Sequence, residues 1–220
     1  AATAWMLSGG PEPWHPDPEF FYAPGGGPMF DMGPYYVTAL VTLLGAAKHV
    51  SGSTAAAYAE RTIGSGAKKG NKIQVQIPTH ITGLIDFEGG AIGTLITSFD
   101  ATGYDIGIHI YGTDGVMIVP DPNTFGGPVK VRRRGYKDFA EANLTHSYAD
   151  QSRGLGVADM AYALQSGRAH RASGALAYHV LDIMHAIHDA STEGKHIVLG
   201  SGIARPAALP TGLKDGLLDQ

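Results

Sequence analysis

The sequence predicts an α+β domain in which a large, mainly antiparallel sheet carries helices gathered on one face. Two changes of period support this. Around residues 79–99 apolar and polar residues alternate as on a half-buried strand, whereas near 37–44 and again beyond 154 apolar residues return every three or four positions, as on a helix. The 220 residues also show no internal repeat, so we expect one domain over residues 1–220.

The elements follow in order. Ala1-Ala2-Thr3-Ala4-Trp5-Met6-Leu7 reads as a strand entered without initiator Met or preceding turn, which suggests an excised or processed piece of a longer protein. Residues 9–34 are crowded with Gly and Pro but also hold Trp14, Phe20, Phe21 and Tyr22, which a linker has no use for. An ordered, packed loop is expected, so that residues 1–33 form an N-terminal strand and aromatic loop. Val37, Leu40, Val41 and Leu44 then mark a helix over 34–44, stopped by Gly45. Strands are predicted at 48–59 and 72–77. Ile81, Gly83, Ile85 and Phe87 alternate with His80, Thr82, Leu84 and Asp86 before a Gly89-Gly90 turn and a return strand to Phe99. Further strands are expected at 106–111, 116–119 and 129–133, the first two joined by a turn around Gly112-Thr113-Asp114-Gly115. Val157, Met160, Ala161 and Leu164 form a helical stripe over 154–166 that ends at Gly167. Leu176, Val180, Ile183 and Ile187 form another over 174–191, with Ser173 as N-cap, and residues 200–220 remain as a tail. Helices on one sheet face leave the other, rich in Ile, Leu and Phe, in need of a cover, and a second copy is the simplest one.

Composition removes several function classes. A net charge of −4 with 16% charged residues creates no single-sign field that would recruit nucleic acid or a membrane surface. With no cysteine, disulfides, thiolate nucleophiles and Cys-ligated zinc are out of reach. No apolar run reaches bilayer length and no signal-type segment opens the chain, so the sequence reads as soluble, with cytoplasm as the default expectation.

Chemistry concentrates near Gly25-Gly26-Gly27-Pro28-Met29-Phe30-Asp31-Met32-Gly33-Pro34-Tyr35-Tyr36. If this stretch is helical, Asp31 and Tyr35 share a face and reach a common ligand. Pro34 requires either a kink or a helix that begins near Gly33. The plainer reading makes Asp31 a cap and Tyr35 an aromatic at the core edge. With Trp14 beside them, His15 and Asp17 are candidates to hydrogen-bond a ligand, or equally to hold their own loop. His146 and Arg153, flanking Tyr148, are secondary candidates for substrate binding, and the alternative is a solvated loop. His179, His185 and His188 share one helix without a supporting carboxylate, so no metal is expected there. Arg132-Arg133-Arg134 reads as the charged surface of an edge strand.

The Trp14 to Tyr22 and Gly25 to Tyr36 runs resemble the C-terminal domain of the Gfo/Idh/MocA oxidoreductases, a family that includes inositol, glucose–fructose and related sugar dehydrogenases. So do Pro78-Thr79-His80-Ile81-Thr82-Gly83, the Pro120 to Pro128 connection, Arg153 to Met160 and Arg168 to Ser173. The resemblance implies a substrate-binding and dimerisation half whose catalytic pair falls on Asp31 and Tyr35, Tyr standing where His is commoner. It implies NAD or NADP in the full-length enzyme, held by a separate nucleotide domain, and none bound to this chain alone. Oxidising a carbinol needs a base for the hydroxyl proton, and a tyrosine, with an ordinary pKa of about 10, serves only beside a cation. The family's cation is a Lys from a Glu-Lys-Pro motif in the nucleotide domain. Neither that tripeptide nor a strand followed by a Gly-x-Gly-x-x-Gly turn occurs here. Two other readings stay open: a sheet-mediated assembly or ligand-binding module without redox chemistry, and a redox-assisted lyase as the parent enzyme.

Overall fold

Strand β1 (Ala2–Leu7) lies inside a nine-stranded sheet, paired parallel with one neighbour and antiparallel with the other. The structure is a computed structural model, and it describes residues 1–150, 152–214 and 216–219. After β1 the chain makes a 3-10 turn (Pro18–Tyr22), a one-turn helix α1 (Pro28–Asp31) and helix α2 (Gly33–Leu44). Strands β2 (Ala47–Ala55), β3 (Glu60–Thr62), β4 (Lys72–Gln74), β5 (His80–Phe87), β6 (Ile92–Ser98), β7 (Asp105–Tyr111), β8 (Gly115–Val119), β9 (Lys130–Arg133) and β10 (Ala140–Glu141) follow. Helices α3 (Leu155–Ser166) and α4 (Gly174–Glu193) and strand β11 (Ile197–Val198) complete the order. The main sheet runs β10-β9-β8-β7-β1-β6-β5-β2-β11, while β3 and β4 form a separate ribbon. Apart from the β1–β6 pair, every pairing recorded is antiparallel, so the fold is α+β.

The alternation in β5 sorts its side chains as expected: Ile81, Ile85 and Phe87 are buried, while Leu84 on the opposite face is 41% exposed. Helix α4 covers the buried face through Val180, Ile183 and Ile187, each apolar side chain contributing about 1.5–3 kcal/mol on burial. Its approach is close. Gly52 of β2 and Gly83 of β5 stand opposite each other, and a Cβ at Gly52 would lie 2.0 Å from the Ile187 carbonyl oxygen. The Gly45 stop of α2 (φ 94°), the Gly90 turn (φ 83°), and the Ser173 cap, whose Oγ accepts from the Leu176 amide at 3.1 Å, lie where the sequence places them.

Several expectations are corrected. The strand read at 48–59 is Ala47–Ala55, and that at 72–77 is Lys72–Gln74, paired with β3 outside the main sheet. Phe87 and Phe99 belong to the helix-covered core, so the open sheet face holds Trp5, Leu84, Ile92 and Ile96 among Thr3, Thr82, Thr94 and His109 rather than any Phe from this hairpin. The Arg132 and Arg133 strand, β9, is flanked by the two-residue β10, and Arg132 lies over the Phe139 ring at 4.9 Å. Most instructive is α3. Its stripe of Val157, Met160, Ala161 and Leu164 faces solvent, while Asp159 and Ala163 are buried. Asp159 accepts from Arg168 at 2.8 Å and Arg171 at 2.5 Å, and those arginines also engage Asp219 near the chain end. The paired carboxylate, needing its partners once desolvated, decides which face of α3 turns inward. The tail of 200–220, of which positions 215 and 220 lie outside the described residues, therefore packs back on the domain, with Leu218 buried. Among the described residues no helix is long and apolar enough to cross a membrane.

Candidate active site

The segment before α1 is set by Gly27, whose φ of 90° only glycine adopts freely and whose amide donates to the Phe21 carbonyl at 2.7 Å. Pro28 then starts α1 with its preset φ. Met29 is buried, and Phe30 stacks on His188 (centroids 5.2 Å, 12° between planes) and packs against His185 at 4.9 Å. Two of the three histidines of α4 thus cradle the residue next to Asp31. At Met32 (φ −105°, ψ −24°) the chain leaves α1, and α2 begins at Gly33 with Pro34 in its first turn. Pro34 is accommodated by this restart, without interrupting a helix interior.

Asp31 and Tyr35 both line one cavity of about 360 Å³. Its wall includes Met6, Phe21, Phe99 and the rim aromatics Trp14 and Tyr104, with Ser8 and Asn123 as further polar groups. Asp31 keeps its carboxylate open to the cavity, yet the protein around it raises its pKa above the ordinary carboxylate value through desolvation alone. Among the described residues nothing hydrogen-bonds or ion-pairs with that carboxylate. None of the lining residues is Lys or Arg.

A buried polar cluster holds the wall in place. Arg61 of β3 donates to Glu12 at 2.7 Å, to the Gly9 carbonyl at 3.2 Å, to the Phe99 carbonyl at 2.9 Å and to the Asp100 carboxylate. Tyr22 donates to the other Glu12 oxygen, and Thr79 donates to Asp100 at 2.8 Å. Burial first, and Glu12 second, push the Tyr22 hydroxyl well above its ordinary pKa. One guanidinium thereby ties the 9–12 loop to the end of β6, with Phe99 between them. Removing one partner from such a buried set costs about 3–5 kcal/mol.

The other sequence-predicted residues are distributed differently. Trp14 joins Asp31 and Tyr35 at the cavity rim. His15 sits among Trp14, Phe20 and Phe21 at 5.3–5.4 Å between centroids, and its Nδ1 accepts from the Asp17 amide at 3.1 Å. Asp17 pairs with Lys68 at 2.9 Å outside the cavity, which lowers its pKa. His146 contacts the Leu209 carbonyl at 2.9 Å and is not in the cavity lining. Arg153 lines a separate depression, but its guanidinium donates to the Asn123 backbone and side-chain oxygens, both at 3.1 Å, and so steadies a lining residue from behind. Sequence reading passed over Glu12, Arg61, Asp100, Tyr104 and Asn123. Asn123 lies in the Pro120 to Pro128 block that the resemblance singles out, whereas the Glu12–Arg61–Asp100 set has no local signature.

A family profile described as "GFO/IDH/MocA C-terminal domain" matches residues 2–118. No curated protein sequence matches the chain. Among solved structures, levoglucosan dehydrogenase in its apo form superposes with a TM-score of 0.70 at 20% identity, covering 91% of this chain and 59% of that one. Its complex with NADH and L-sorbose gives 0.69 at 19% identity, covering 91% and 58%. An oxidoreductase domain protein from Kribbella flavida gives 0.67 at 21% identity, covering 91% and 59%. At these identities the likeness is one of fold, and this chain spans under two thirds of the length of each of those proteins.

Proposed function

Because this chain belongs to the Gfo/Idh/MocA family, of which it carries the C-terminal domain, we propose that it is the substrate-binding half of an NAD- or NADP-dependent oxidoreductase acting on a carbinol of a sugar, polyol or related ring. The observation that carries this reading is the shared cavity of Asp31 and Tyr35. Aromatic faces at Trp14, Phe21, Phe99 and Tyr104 suit the C–H surfaces of a sugar ring, and a few convergent polar groups suit its hydroxyls. A volume of about 360 Å³ falls in the range of small-molecule sites.

Tyr35 is assigned the proton transfer at the reacting hydroxyl. Asp31, partly desolvated and with no hydrogen-bond partner for its carboxylate among the described residues, gains from a substrate hydroxyl donating to it, which orients the ring. The lining residues contain no cation to hold a phenolate, so that charge is assigned to a neighbouring domain. The dinucleotide is placed there too, because this sequence has no glycine-rich turn between a strand and a helix of the dinucleotide-binding kind. When bound, the cofactor supplies the hydride acceptor. The open face of the sheet is assigned to a second copy of the chain.

Two measurements test the assignment. In the full-length protein Tyr35→Phe is expected to lower turnover by about 10²–10⁴-fold while leaving cofactor affinity nearly unchanged. In this chain, a Trp5→Phe background leaves Trp14 as the sole indole, whose fluorescence should respond saturably to levoglucosan or L-sorbose, sugars named with the structural neighbours. Wild-type turnover in the Tyr35 variant, together with an unresponsive Trp14, would overturn the assignment.

A further inference from the structure

On the open face of the sheet, at the edge away from β10, two side chains from adjacent strands and one from the residue before β11 converge. His49 of β2 stands directly across the ladder from Asp86 of β5. His196 immediately precedes β11, whose Ile197 and Val198 pair with Val50 and His49, so it falls beside them on the same face. Gly194 (φ 62°) ends α4 and turns the chain back toward β2, which delivers His196 to this place. His196 Nε2 is 3.2 Å from Asp86 Oδ2, and His49 Nδ1 is 3.9 Å from the same oxygen. The two imidazoles lie 5.2 Å apart, tilted by 38°, and one ligand atom of each residue falls within 4.8 Å of the others.

We propose that His49, Asp86 and His196 form a binding site for a divalent transition-metal ion of the zinc class. With metal–ligand bonds of about 2.0–2.2 Å, donors on one tetrahedral ion stand about 3.3–3.5 Å apart. The two separations from Asp86, 3.2 and 3.9 Å, bracket that value, and the imidazole donors lie within 4.8 Å of each other. At 3.9 Å the His49–Asp86 distance is too long for a direct hydrogen bond, and an ion between them satisfies both groups.

Donor chemistry narrows the choice of ion. Two imidazole nitrogens and one carboxylate suit zinc, cobalt(II), nickel(II) or copper(II) better than magnesium or calcium, which favour oxygen ligands. One ligand is also held from behind by a hydroxyl. Ser51 Oγ is 2.6 Å from His196 Nδ1. With Nδ1 donating to that oxygen, Nε2 carries its lone pair toward Asp86, which is the tautomer a ligand needs. The ligands sit on paired strands, whose backbones hold them in place, and His196 is 43% exposed, leaving room for water to complete the coordination. This site lies at the β11 edge of the open sheet face, the face assigned above to a second copy, whereas the Asp31 cavity lies on the helix side and shares none of the three ligands.

Cobalt(II) is the probe of choice because its visible d–d band reports few-coordinate binding directly. Titration of the untagged chain should give a saturable band at one equivalent. His49→Ala and His196→Ala should abolish it, and Asp86→Asn, a near-isosteric control for folding, should weaken it. Ser51→Ala should weaken affinity by about 10–100-fold, the usual effect of losing an outer-shell partner. His185→Ala/His188→Ala removes the other close histidine pair and should leave the band intact. Either no saturable band in the wild-type chain, or a band that persists in the His49→Ala/His196→Ala double variant, would overturn the proposal and leave the cluster as a histidine–carboxylate ion pair only.

Discussion

His179 shows how much a single buried side chain can fix. Its ring is fully enclosed, and the Ala47 amide donates to Nε2 at 3.0 Å, so that nitrogen must be unprotonated. Nδ1 therefore carries the hydrogen toward Ser201 Oγ at 2.7 Å, and that hydroxyl donates to Asp182 at 2.6 Å. Desolvation holds the imidazole below its ordinary pKa, and it does the same to His188 beside Phe30, where the neighbouring His185 adds to the effect. A group whose folded pKa is depressed in this way, being a base, is neutral in both states above the unfolded value of about 6.5. Its contribution to stability is complete there and is lost as pH falls below about 6.5 toward the folded pKa, because the unfolded chain takes up the proton first. Each histidine contributes at most about 1.4 kcal/mol per pH unit to that slope. The urea midpoint should therefore drop between about pH 7.5 and 5.5, with a shallower drop in His179→Gln. A midpoint flat over that window would mean that neither ring is held neutral.

At the scale of elements, α3 and α4 look alike in sequence and differ in the structure. Both carry an apolar stripe at helical spacing. That of α4 meets the sheet at Gly52 and Gly83, where the missing side chains let the helix axis approach, and Ile183 there is fully buried. That of α3 meets solvent: Val157 is 73% exposed and Leu164 is 76% exposed. Leu164→Ser should then change unfolding free energy by no more than about 0.5 kcal/mol, whereas Ile183→Ala should cost about 2–5 kcal/mol. Denaturation of the two variants side by side checks the contrast, and comparable losses would mean that the α3 stripe is covered.

The whole sheet has one face closed by helices and one open. The open face is mixed in character, with Leu84 41% and Ile92 52% exposed beside threonines and histidines. Its apolar side chains Trp5, Ile92, Ile96 and Leu84 come from three adjacent strands, and grouped apolar surface of this kind is where a partner binds. A two-fold copy is the simplest cover, because an isologous contact closes on itself. Multi-angle light scattering should give a dimer mass, and Leu84→Glu/Ile92→Glu should shift it to the monomer with the helix content kept. A wild-type monomer at high concentration would reject this pairing.

What the sequence determined by itself was local or periodic. The alternation from Ile81 to Phe87 placed a strand and its two faces, Gly45 and Ser173 marked helix ends, and the Gly27 to Tyr36 run placed Asp31 and Tyr35 close together, because dihedral preference and period act over a few residues. Even Pro34 was legible as a choice between two outcomes, and the structure took the restart at Gly33. Tertiary structure alone decided the rest. Arg61 meets Glu12 and Asp100 across 49 and 39 residues of chain, and His196 meets Asp86 across 110, separations at which no spacing rule applies. The orientation of α3 belongs with these. A stripe in sequence says that one face is apolar, but Asp159, desolvated against Arg168 and Arg171, settled which face turned inward, since a buried carboxylate without its partners costs more than an exposed leucine.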